Sequence, residues 1–511
     1  MPTITITDPE VPALTVVDAL VASGFEAGRA ERGSRTVLDT FDGRLHDAGL
    51  RLEVHQGGHD ELVLWGDPTS PPAVMATTGI PVWPTELPPG PLRQRIAAIT
   101  QERALVPVIT ISSRELLLRR VDRRGKATAQ VAVHDQIVVE GAEPSLVPAW
   151  AAEVRSVVGH EDTAELATAR LAMLGLTTHE GDLTGVVAVS VGIPLGGRSS
   201  SPTVEMAATD DVLGSYRRVL LNLALTIDAN LSGTIADTDP EFLHELRVAV
   251  RRTRAVLSQA KEVVPDAIRD RFGEAFAAIG QVTGLPRDLD VYLLGWADQV
   301  ASLSAADVAA LEPVRRELES RRVVAKTELA QALRSRATRT SLERWRAWLT
   351  DPDVAAEEFH AVGPVVAARI ARAQAKVLRD GRAITPASDP ERLHDLRKDA
   401  KKLRYLLECF GGLLPAKSRK AFVAQLKDLQ ENLGDHQDAE VQMGQLRDLA
   451  HDLHQAPGVD ADVLLAIGRL SDHLDRRRRA ERGAFADRFA AYDTGPNRRS
   501  LDKLLDAVST P

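Results

Sequence analysis

The sequence predicts a multidomain chain, in which an α+β domain with a partly closed antiparallel sheet precedes an all-α domain of two pseudo-symmetric helical bundles. Three observations support this prediction. Short runs that alternate apolar and polar residues occur in the first two hundred residues, as is typical of antiparallel strands. A segment rich in Gly, Ser and Pro follows, and beyond it the strand patterns give way to helical ones. One helical segment then occurs twice at a constant offset of 150 residues, which indicates an internal duplication.

The composition is that of a soluble intracellular protein. Of 511 residues, 44% are hydrophobic and 26% are charged. The sequence contains no run of eighteen apolar residues, so no membrane span is expected. Cys409 is the only cysteine, which excludes an internal disulfide, and the N-terminus MPTITITDPE lacks the layout of a signal peptide. We therefore expect a cytoplasmic protein. The net charge of −9 argues against a generally basic nucleic-acid-binding protein, so any anion site has to be local.

The first domain is expected over residues 1–190. Its strand-like runs are TITIT (3–7), LRLEVH (50–55), ELVLW (61–65), PVITISS (107–113) and ATAQVAVHDQIVV (127–139). The segments PALTVVDALVASGF and TAELATARLAML indicate helices that flank or plug the sheet. Residues 191–206 predict a flexible linker to the helical domain, which is expected over residues 207–505.

The helical domain is organised around the duplicated segment. Residues 239–257 read DPEFLHELRVAVRRTRAVL, and residues 389–407 read DPERLHDLRKDAKKLRYLL. An Asp at the N-cap and a Pro at the first helical position predict a helix start in each copy. At about 100° per residue, one His and several cations form a stripe opposite the apolar residues. The stripes are His244, Arg247, Arg251 and Arg254 in the first copy, and His394, Arg397, Lys401 and Arg404 in the second.

These stripes predict an anion-binding function. Like charges at i,i+4 destabilise a helix by a few tenths of a kcal/mol, and no carboxylate intervenes here. The alternative is a solvated surface, but solvated helices generally mix signs, as EPVRRELESRR (312–322) does. A stripe kept in both copies while Arg changes to Lys favours an anion. A pseudo-twofold axis would make the two stripes face one another across a groove.

The helical part resembles the CHAD family, the conserved histidine α-helical domain, over about residues 207–505. The segments that carry this resemblance are HELRVAVRRTRAVL at 244–257, GLPRDLDVYL at 284–293, HDLRKDAKKLRYLLECF at 394–410 and LKDLQENLGDHQDAEV at 426–441. The resemblance implies a helical double bundle whose basic central groove binds inorganic polyphosphate. The contacts that it implies are His244, Arg247, Arg251, Arg252, Arg254, His394, Arg397, Lys401, Lys402, Arg404 and Lys427. Ala277 stands at the place of Lys427 in the first copy, so the halves are not expected to contribute equally.

Two charged features of the helical part have more than one interpretation. Asp288 and Asp438 follow a glycine at the same spacing in both copies. Because carboxylates repel a polyanion, we interpret this pair as capping a helix or holding an arginine such as Arg287, rather than as catalytic. The four arginines at 476–479 fit a phosphate contact or a solvated surface equally well.

Residues 1–180 resemble the CYTH family, the triphosphate tunnel metalloenzymes. TVLDTFDGRLHDAGLRLEV (36–54) and SRELLLRRVDRRGKATAQVAVHD (113–135) carry this resemblance. It implies a β-tunnel that holds carboxylates for metal and Lys/Arg side chains for triphosphate. The departures from the family pattern are Thr3, Thr5, Thr7, Glu53, His55, Trp65 and Arg155 beside Glu153. Because metal and triphosphate each need several charged ligands, we expect a degenerate domain with the fold but without catalytic residues, a metal site or a cofactor.

We therefore predict a protein whose partner is inorganic polyphosphate, with no role in membrane or sequence-specific nucleic-acid binding. Aromatic residues make up only 4% of the chain, which leaves few side chains for stacking on bases. Two alternatives stay open: a CYTH-type metal-dependent hydrolase of triphosphate or polyphosphate, and a scaffold for other phosphorylated partners. A cytoplasmic location is expected, with or without association with polyphosphate granules.

Overall fold

The chain divides into two compact units, Met1–Ser200 and Ser201–Pro511. The computed structural model describes residues 4–8, 10–57, 60–66, 72–157, 159–197, 204–354, 358–455 and 460–509. The first unit is built on an antiparallel sheet and the second is helical, which confirms the predicted order of the two domain types. Thr3 and part of the predicted linker, residues 198–203, lie outside the described residues.

The described strands of the first unit form one antiparallel sheet. They are β1 (Ile4–Thr7), β2 (Glu26–Asp39), β3 (Arg51–Gln56), β4 (Glu61–Trp65), β5 (Ala73–Ala76), β6 (Val106–Val121), β7 (Ala127–Val139), β8 (Trp150–Ser156) and β9 (Thr177–Glu180). Their order in the sheet is β5-β4-β3-β2-β6-β7-β8-β1-β9. The edge strands β5 and β9 have four residues each and are not paired with each other. Because closure requires the two edges to pair, the sheet is open and the predicted partial, tunnel-like closure is not confirmed.

Helices cover the sheet of the first unit. They are α1 (Ala13–Ala22), α2 (Arg44–Asp47), α3 (Pro91–Thr100), α4 (Glu161–Ala172) and α5 (Leu183–Ser190). The two helices expected from the sequence, α1 and α4, bury Leu20 and Leu171 in one core with strand residues such as Val131. The alternation of apolar and polar residues along these strands is therefore that of a sheet with one face packed against helices.

The second unit consists of helices over its described residues. They are α6 (Val212–Ala236), α7 (Pro240–Ser258), α8 (Asp266–Val282), α9 (Gly284–Leu294), α10 (Trp296–Val300), α11 (Ala305–Ala310), α12 (Glu312–Arg334), α13 (Arg336–Thr350), α14 (Val362–Arg382), α15 (Pro390–Cys409), α16 (Ala416–Gln455), α17 (Ala461–Tyr492) and α18 (Gly495–Ser509). Both duplicated helices start as predicted, because Asp239 accepts hydrogen bonds from the backbone N–H of Glu241 and Phe242, and Asp389 from that of Glu391.

The largest apolar core of the second unit contains both duplicated helices. Helix α7 packs on α15, and Leu246 and Val250 of α7 share this core with Leu396 and Leu403 of α15. A second core joins α9, α10 and α12 to α16 and α17. Since each core mixes elements of both copies, the predicted separation into two pseudo-symmetric bundles is not confirmed. Burying the apolar faces of the two copies against each other removes both from water in one interface.

Helix α6 has the length and composition of a membrane span, although half of its most apolar 18-residue stretch is buried inside the unit. Its residues Tyr216, Leu220 and Ile227 belong to the main core. This burial is the pattern of a helix at the centre of a helical domain.

Candidate functional site

Helices α7 and α15 bring the two predicted stripes next to each other. Because the apolar side of each helix is buried in the shared core, the stripe residues stay partly exposed. Arg251 of α7 lies close enough to Lys401 of α15 for their charges to interact, and Arg247, Arg397 and Arg404 adjoin these two residues. We call Arg247, Arg251, Arg397, Lys401 and Arg404 the basic surface.

The cations of the basic surface destabilise one another. Burial, with the positive charges of Arg397 and Arg251, lowers the pKa of Lys401 to about 7. Burial also lowers the pKa of Arg247, and the charge of Arg251 adds to this effect. The Nε atoms of Arg247, Arg251, Arg397 and Arg404 are buried and have no hydrogen-bond acceptor in the described part of the chain. Buried Nε atoms without an acceptor also occur at Arg217 and Arg369, so the mutual repulsion of the cations is what favours an anionic partner here.

Neighbouring helices hold two of these arginines in place. Arg247 donates from Nη1 to Thr283 Oγ1 at 3.1 Å, at the junction of α8 and α9. Arg397 donates from Nη2 to Asp438 Oδ1 of α16, also at 3.1 Å. Side chains that are oriented before binding lose less conformational entropy when a ligand arrives, so these contacts favour binding.

Two of the predicted contacts, Arg252 and Lys402, have acidic neighbours in the second unit. Arg252 donates from Nη2 to Glu408 Oε2 of α15 at 2.7 Å. Lys402 interacts electrostatically with Asp399 and Lys376, and burial lowers its pKa. The charges of both residues therefore have carboxylate neighbours in the folded unit.

The predicted residues Arg254, Lys427 and His394 lie on α7, α16 and α15, respectively. Arg254 is exposed, and its Nη1 lies 3.2 Å from the position that a Cβ at Gly280 of α8 would take. Lys427 is exposed on α16. His394 Nδ1 is 2.7 Å from Gln437 Oε1, so this histidine is oriented by α16.

His244 belongs to a small group with acidic neighbours. His244, Glu241 and Glu245 each place one potential metal-ligand atom within 4.8 Å of the others. Arg287 Nη2 lies 3.7 Å from Glu241 Oε1, so part of this negative charge already faces a cation. The group lies in the first turns of α7, one turn before Arg247.

Two residues near the basic surface were not found from the sequence. Glu408 accepts the hydrogen bond from Arg252, and its Oε1 lies 3.5 Å from Arg404 Nε. Glu408 stands four residues after Arg404, a spacing at which opposite charges pair on a helix, so the sequence could have indicated this contact. The Tyr405 hydroxyl is buried without a hydrogen-bond partner among the described residues, and the Arg404 guanidinium lies 5.5 Å from the centre of its ring. Tyr405 has no counterpart in the first copy, where Ala255 stands, so the duplication could not reveal it.

The interpretation of Asp438 as an arginine holder is confirmed, although the arginine is Arg397 and not Arg287. Arg287 instead donates to the carbonyl oxygen of Pro240 at 3.2 Å. Asp438 pairs with Arg397 because Asp438 lies on the part of α16 that faces α15.

The arginine run at 476–479 is paired with carboxylates. Arg476 contacts Asp472 at 3.1 Å, Arg477 contacts Asp435 at 3.0 Å, and Arg478 and Arg479 both contact Asp475. Of the two interpretations left open, a paired, solvated helix surface fits these contacts better than a phosphate site.

In the first unit, two buried carboxylates, those of Glu53 and Glu153, are at the centre of ion pairs. Glu153 is 2% exposed and accepts hydrogen bonds from Arg35 at 3.1 Å and Arg155 at 2.5 Å. Burial alone would raise the pKa of Glu53, but the hydrogen bond from His55 and the charge of Arg51 hold it at about 2. The buried carboxylates therefore already have cationic partners from the same unit.

A cavity of about 640 Å³ lies on the same sheet. Residues of β2, β3 and β6 line it, and cations such as Arg29, Arg32 and Arg119 alternate with acids such as Glu31 and Glu115. Thr5 is buried and donates to the carbonyl oxygen of Gly181 at 2.9 Å. Charges of both signs thus share this cavity.

Comparison with known proteins adds a family match. Residues 219–447 match the CHAD domain. No curated protein matches the chain. The chain is similar to the crystal structure of the CHAD domain from the plant Ricinus communis, with 26% identity and a TM-score of 0.46, over 56% of this chain and 96% of that one.

Two further solved structures resemble the chain at lower identity. PptA from Streptomyces chartreusis is 16% identical, with a TM-score of 0.45, over 55% of this chain and all of that one. The PH1819 protein from Pyrococcus horikoshii OT3 is 9% identical, with a TM-score of 0.24, over 37% of this chain and 95% of that one. The family match covers both duplicated helices and the residues of the basic surface. The C-terminal half of this protein therefore contains a CHAD domain.

Proposed function

We propose that the second unit binds inorganic polyphosphate on the basic surface. The observation that carries this proposal is the approach of Arg251 and Lys401 from two different helices, with further arginines beside them. In the empty protein these cations repel one another, and burial makes this repulsion stronger than it would be in water. A bound polyanion turns the repulsion into attraction. Polyphosphate is also the ligand that the CHAD domain implies.

The chemistry of polyphosphate suits this surface better than that of a nucleic acid. Polyphosphate has a dense and regular charge and no bases to recognise, whereas binding of single strands generally uses exposed aromatic rings. The aromatic residue at the basic surface, Tyr405, is 4% exposed and so offers no stacking face. Arginine and lysine side chains are the groups that bind phosphate oxygens most strongly.

The test is calorimetric titration of the full chain with polyphosphate of defined length, with single-stranded RNA of matched charge as the comparison. We expect polyphosphate to bind at physiological salt and RNA to bind more weakly. Equal or tighter RNA binding would contradict the proposal. A phosphorylated protein as the main ligand, the alternative partner, would appear as weak polyphosphate binding beside tight phosphopeptide binding.

We further propose that the first unit is a degenerate CYTH-like domain without hydrolase activity, in a cytoplasmic protein. Support comes from the pairing of Glu153 with Arg35 and Arg155, and of Glu53 with Arg51 and His55. A metal ion would have to compete with these cations for the same carboxylate oxygens. The purified chain, incubated with Mg²⁺ or Mn²⁺ and triphosphate, should release no phosphate. Turnover at about 1 s⁻¹ or faster would show that the alternative function, metal-dependent hydrolysis, is correct.

A further inference from the structure

Helix α13 carries a second group of arginines, which the proposed function does not use. Arg336, Arg339 and Arg344 are exposed on this helix, and we call them the α13 surface. Within the described residues, no carboxylate lies close enough to any of the three to form an ion pair. A further arginine of the helix, Arg346, is paired with Asp228, whose Oδ2 lies 3.0 Å from Arg346 Nε.

The exposed side of α13 has an excess of positive charge. At about 100° per residue, its arginines lie away from the buried residues of the helix, such as Trp345. Glu343 is the only acidic residue of α13, which has four arginines. Arg336 and Arg339 are three residues apart, a spacing at which like charges repel each other on a helix. An anion bound across them relieves this repulsion.

The arginine run at 476–479 shows that other exposed arginines of this unit have carboxylate partners. Its members contact Asp472, Asp435 and Asp475. The whole chain has 72 acidic residues against 63 lysines and arginines, so carboxylates are abundant. An arginine-rich face without them is therefore not a result of composition, and it differs from a solvated surface of mixed sign.

We propose that the α13 surface is a second polyphosphate-binding site of the second unit. The identity of the ligand rests on the proposed function, whereas the place of the site does not. Helix α13 packs on α6, α8 and α12, whereas the basic surface is built on α7 and α15. The three arginines extend over about 12 Å of the helix at 1.5 Å per residue, so a linear polyanion that follows the helix can contact all three.

The remaining side chains of α13 favour a polyanion without bases or lipid tails. Beside the arginines the exposed side carries small residues, namely Ala337, Thr340 and Ala347. These offer no long apolar group to insert into a membrane. Trp348 stacks on the buried Trp345 and lies under the Arg217 guanidinium, so these rings are already engaged and do not offer a platform for bases. Phosphate oxygens are the groups that guanidinium ions bind best.

Binding at the α13 surface should be weaker than at the basic surface. The arginines of α13 are exposed to water and are screened by salt, whereas burial strengthens the field around Lys401. We therefore expect the second site to bind at low salt and to be lost first as the salt concentration rises.

The experiment titrates the full chain with tripolyphosphate in a calorimeter, at about 50 mM salt, where phosphate contacts are strong. We expect a tight site and a weaker one. The Arg336→Gln/Arg339→Gln/Arg344→Gln variant should lose only the weaker site, because glutamine removes the charge but keeps a high helix propensity. In an Arg251→Ala/Lys401→Ala background, the same three changes should lower the remaining affinity about tenfold or more, which corresponds to ~1.4 kcal/mol.

Two control variants separate the site from net charge and from misfolding. Arg476→Gln/Arg477→Gln/Arg479→Gln removes the same number of exposed positive charges, but from arginines that already have carboxylate partners. This variant should keep the weaker site. The corresponding Arg→Lys variant of the α13 surface keeps the positive charge, so it should also keep the weaker site.

Four results would overturn the inference. A single site that the Arg251→Ala/Lys401→Ala variant abolishes would leave the proposed function standing without a second site. Loss of the weaker site in the 476–479 variant as well would show that binding follows net charge. In the same Arg251→Ala/Lys401→Ala background, tighter binding of single-stranded RNA, or of vesicles of phosphatidylcholine and phosphatidylserine, would assign the α13 surface to another partner. An unchanged protein without any site for tripolyphosphate or long polyphosphate would overturn the proposed function together with this inference.

Discussion

The basic surface of the second unit and the ion network of the first unit both gather arginines, but their charges are balanced differently. In the first unit, Arg35 and Arg155 meet the buried carboxylate of Glu153 directly. In the second unit, Arg251 and Lys401 adjoin other cations as well as Asp288 and Asp438, and the pKa of Lys401 still falls to about 7 because burial and the neighbouring cations outweigh these carboxylates. The number of arginines therefore does not make an anion site. What matters is whether carboxylates of the same fold already satisfy them.

The largest expected effect is the salt dependence of polyphosphate affinity, which tests whether several cations of the second unit bind the ligand together. With about 6–10 phosphate contacts, polyphosphate affinity should fall by about 10³–10⁵ between 50 and 200 mM salt on the scale of duplex DNA. The reason is that each neutralised phosphate releases a counter-ion. Titrations over this salt range check the expectation. A nearly flat response would contradict a surface of several cations.

A substitution in the first unit tests the other side of the comparison. Glu153→Ala leaves Arg35 buried without its closest carboxylate, so the free energy of unfolding should fall by about 3–5 kcal/mol. Urea denaturation measures this loss. The control is Glu115→Ala, because Glu115 is 35% exposed and lies 3.6 Å from the same arginine; it should cost less than about 1 kcal/mol. Similar losses for both variants would show that Glu153 is not the main counter-charge of Arg35.

Substitutions on the basic surface should affect binding and spare stability. Arg251→Ala and Lys401→Ala should each weaken polyphosphate binding by about 1–3 kcal/mol, the scale of charge-assisted hydrogen bonds. The melting temperature of the empty protein should stay the same or rise, because each change removes a like charge from its neighbours. Titration and thermal denaturation provide the two measurements.

The matched control for these substitutions is Arg316→Ala. Arg316 is 67% exposed on α12, and Glu312 is 3.9 Å away. Its loss should leave polyphosphate affinity within the error of the titration. If Arg316→Ala weakened binding as much as Arg251→Ala, binding would depend on net charge and not on the basic surface.

The smallest expected effect is a proton taken up by Lys401. Its pKa is about 7 in the empty protein, and a bound polyanion raises it, because the negative charge favours the protonated amine. At pH 8 binding should therefore take up protons. Affinity should rise as pH falls from the bound-state pKa towards 7, by at most about tenfold per pH unit. Below 7 this contribution should level off, because Lys401 is then protonated in both states.

Calorimetry in buffers of different ionisation enthalpy measures this uptake. The Lys401→Arg variant is the control, since arginine keeps its charge throughout this range and cannot take up the proton. Binding by the variant with an undiminished uptake would assign the proton to another group.

Much of the fold could be predicted from local patterns. Alternating runs predicted antiparallel strands, and the repeated Asp-Pro starts and helical stripes predicted α7 and α15 together with the faces that they bury. These predictions held because strand and helix periods are local properties, and because an N-cap depends on three or four consecutive residues. Closure of the sheet and separation into two bundles depend on long-range pairing, and neither prediction was confirmed.

The sequence by itself determined which cations share a helix face, and the tertiary structure decided what stands opposite each of them. Arg397 meets Asp438, Arg252 meets Glu408, and Arg251 adjoins the cation Lys401 as well as the carboxylate of Asp288. No spacing along the chain distinguishes these three outcomes. They depend on how α15 packs on α7 and α16, and the burial that this packing produces sets how strongly the charges act on each other.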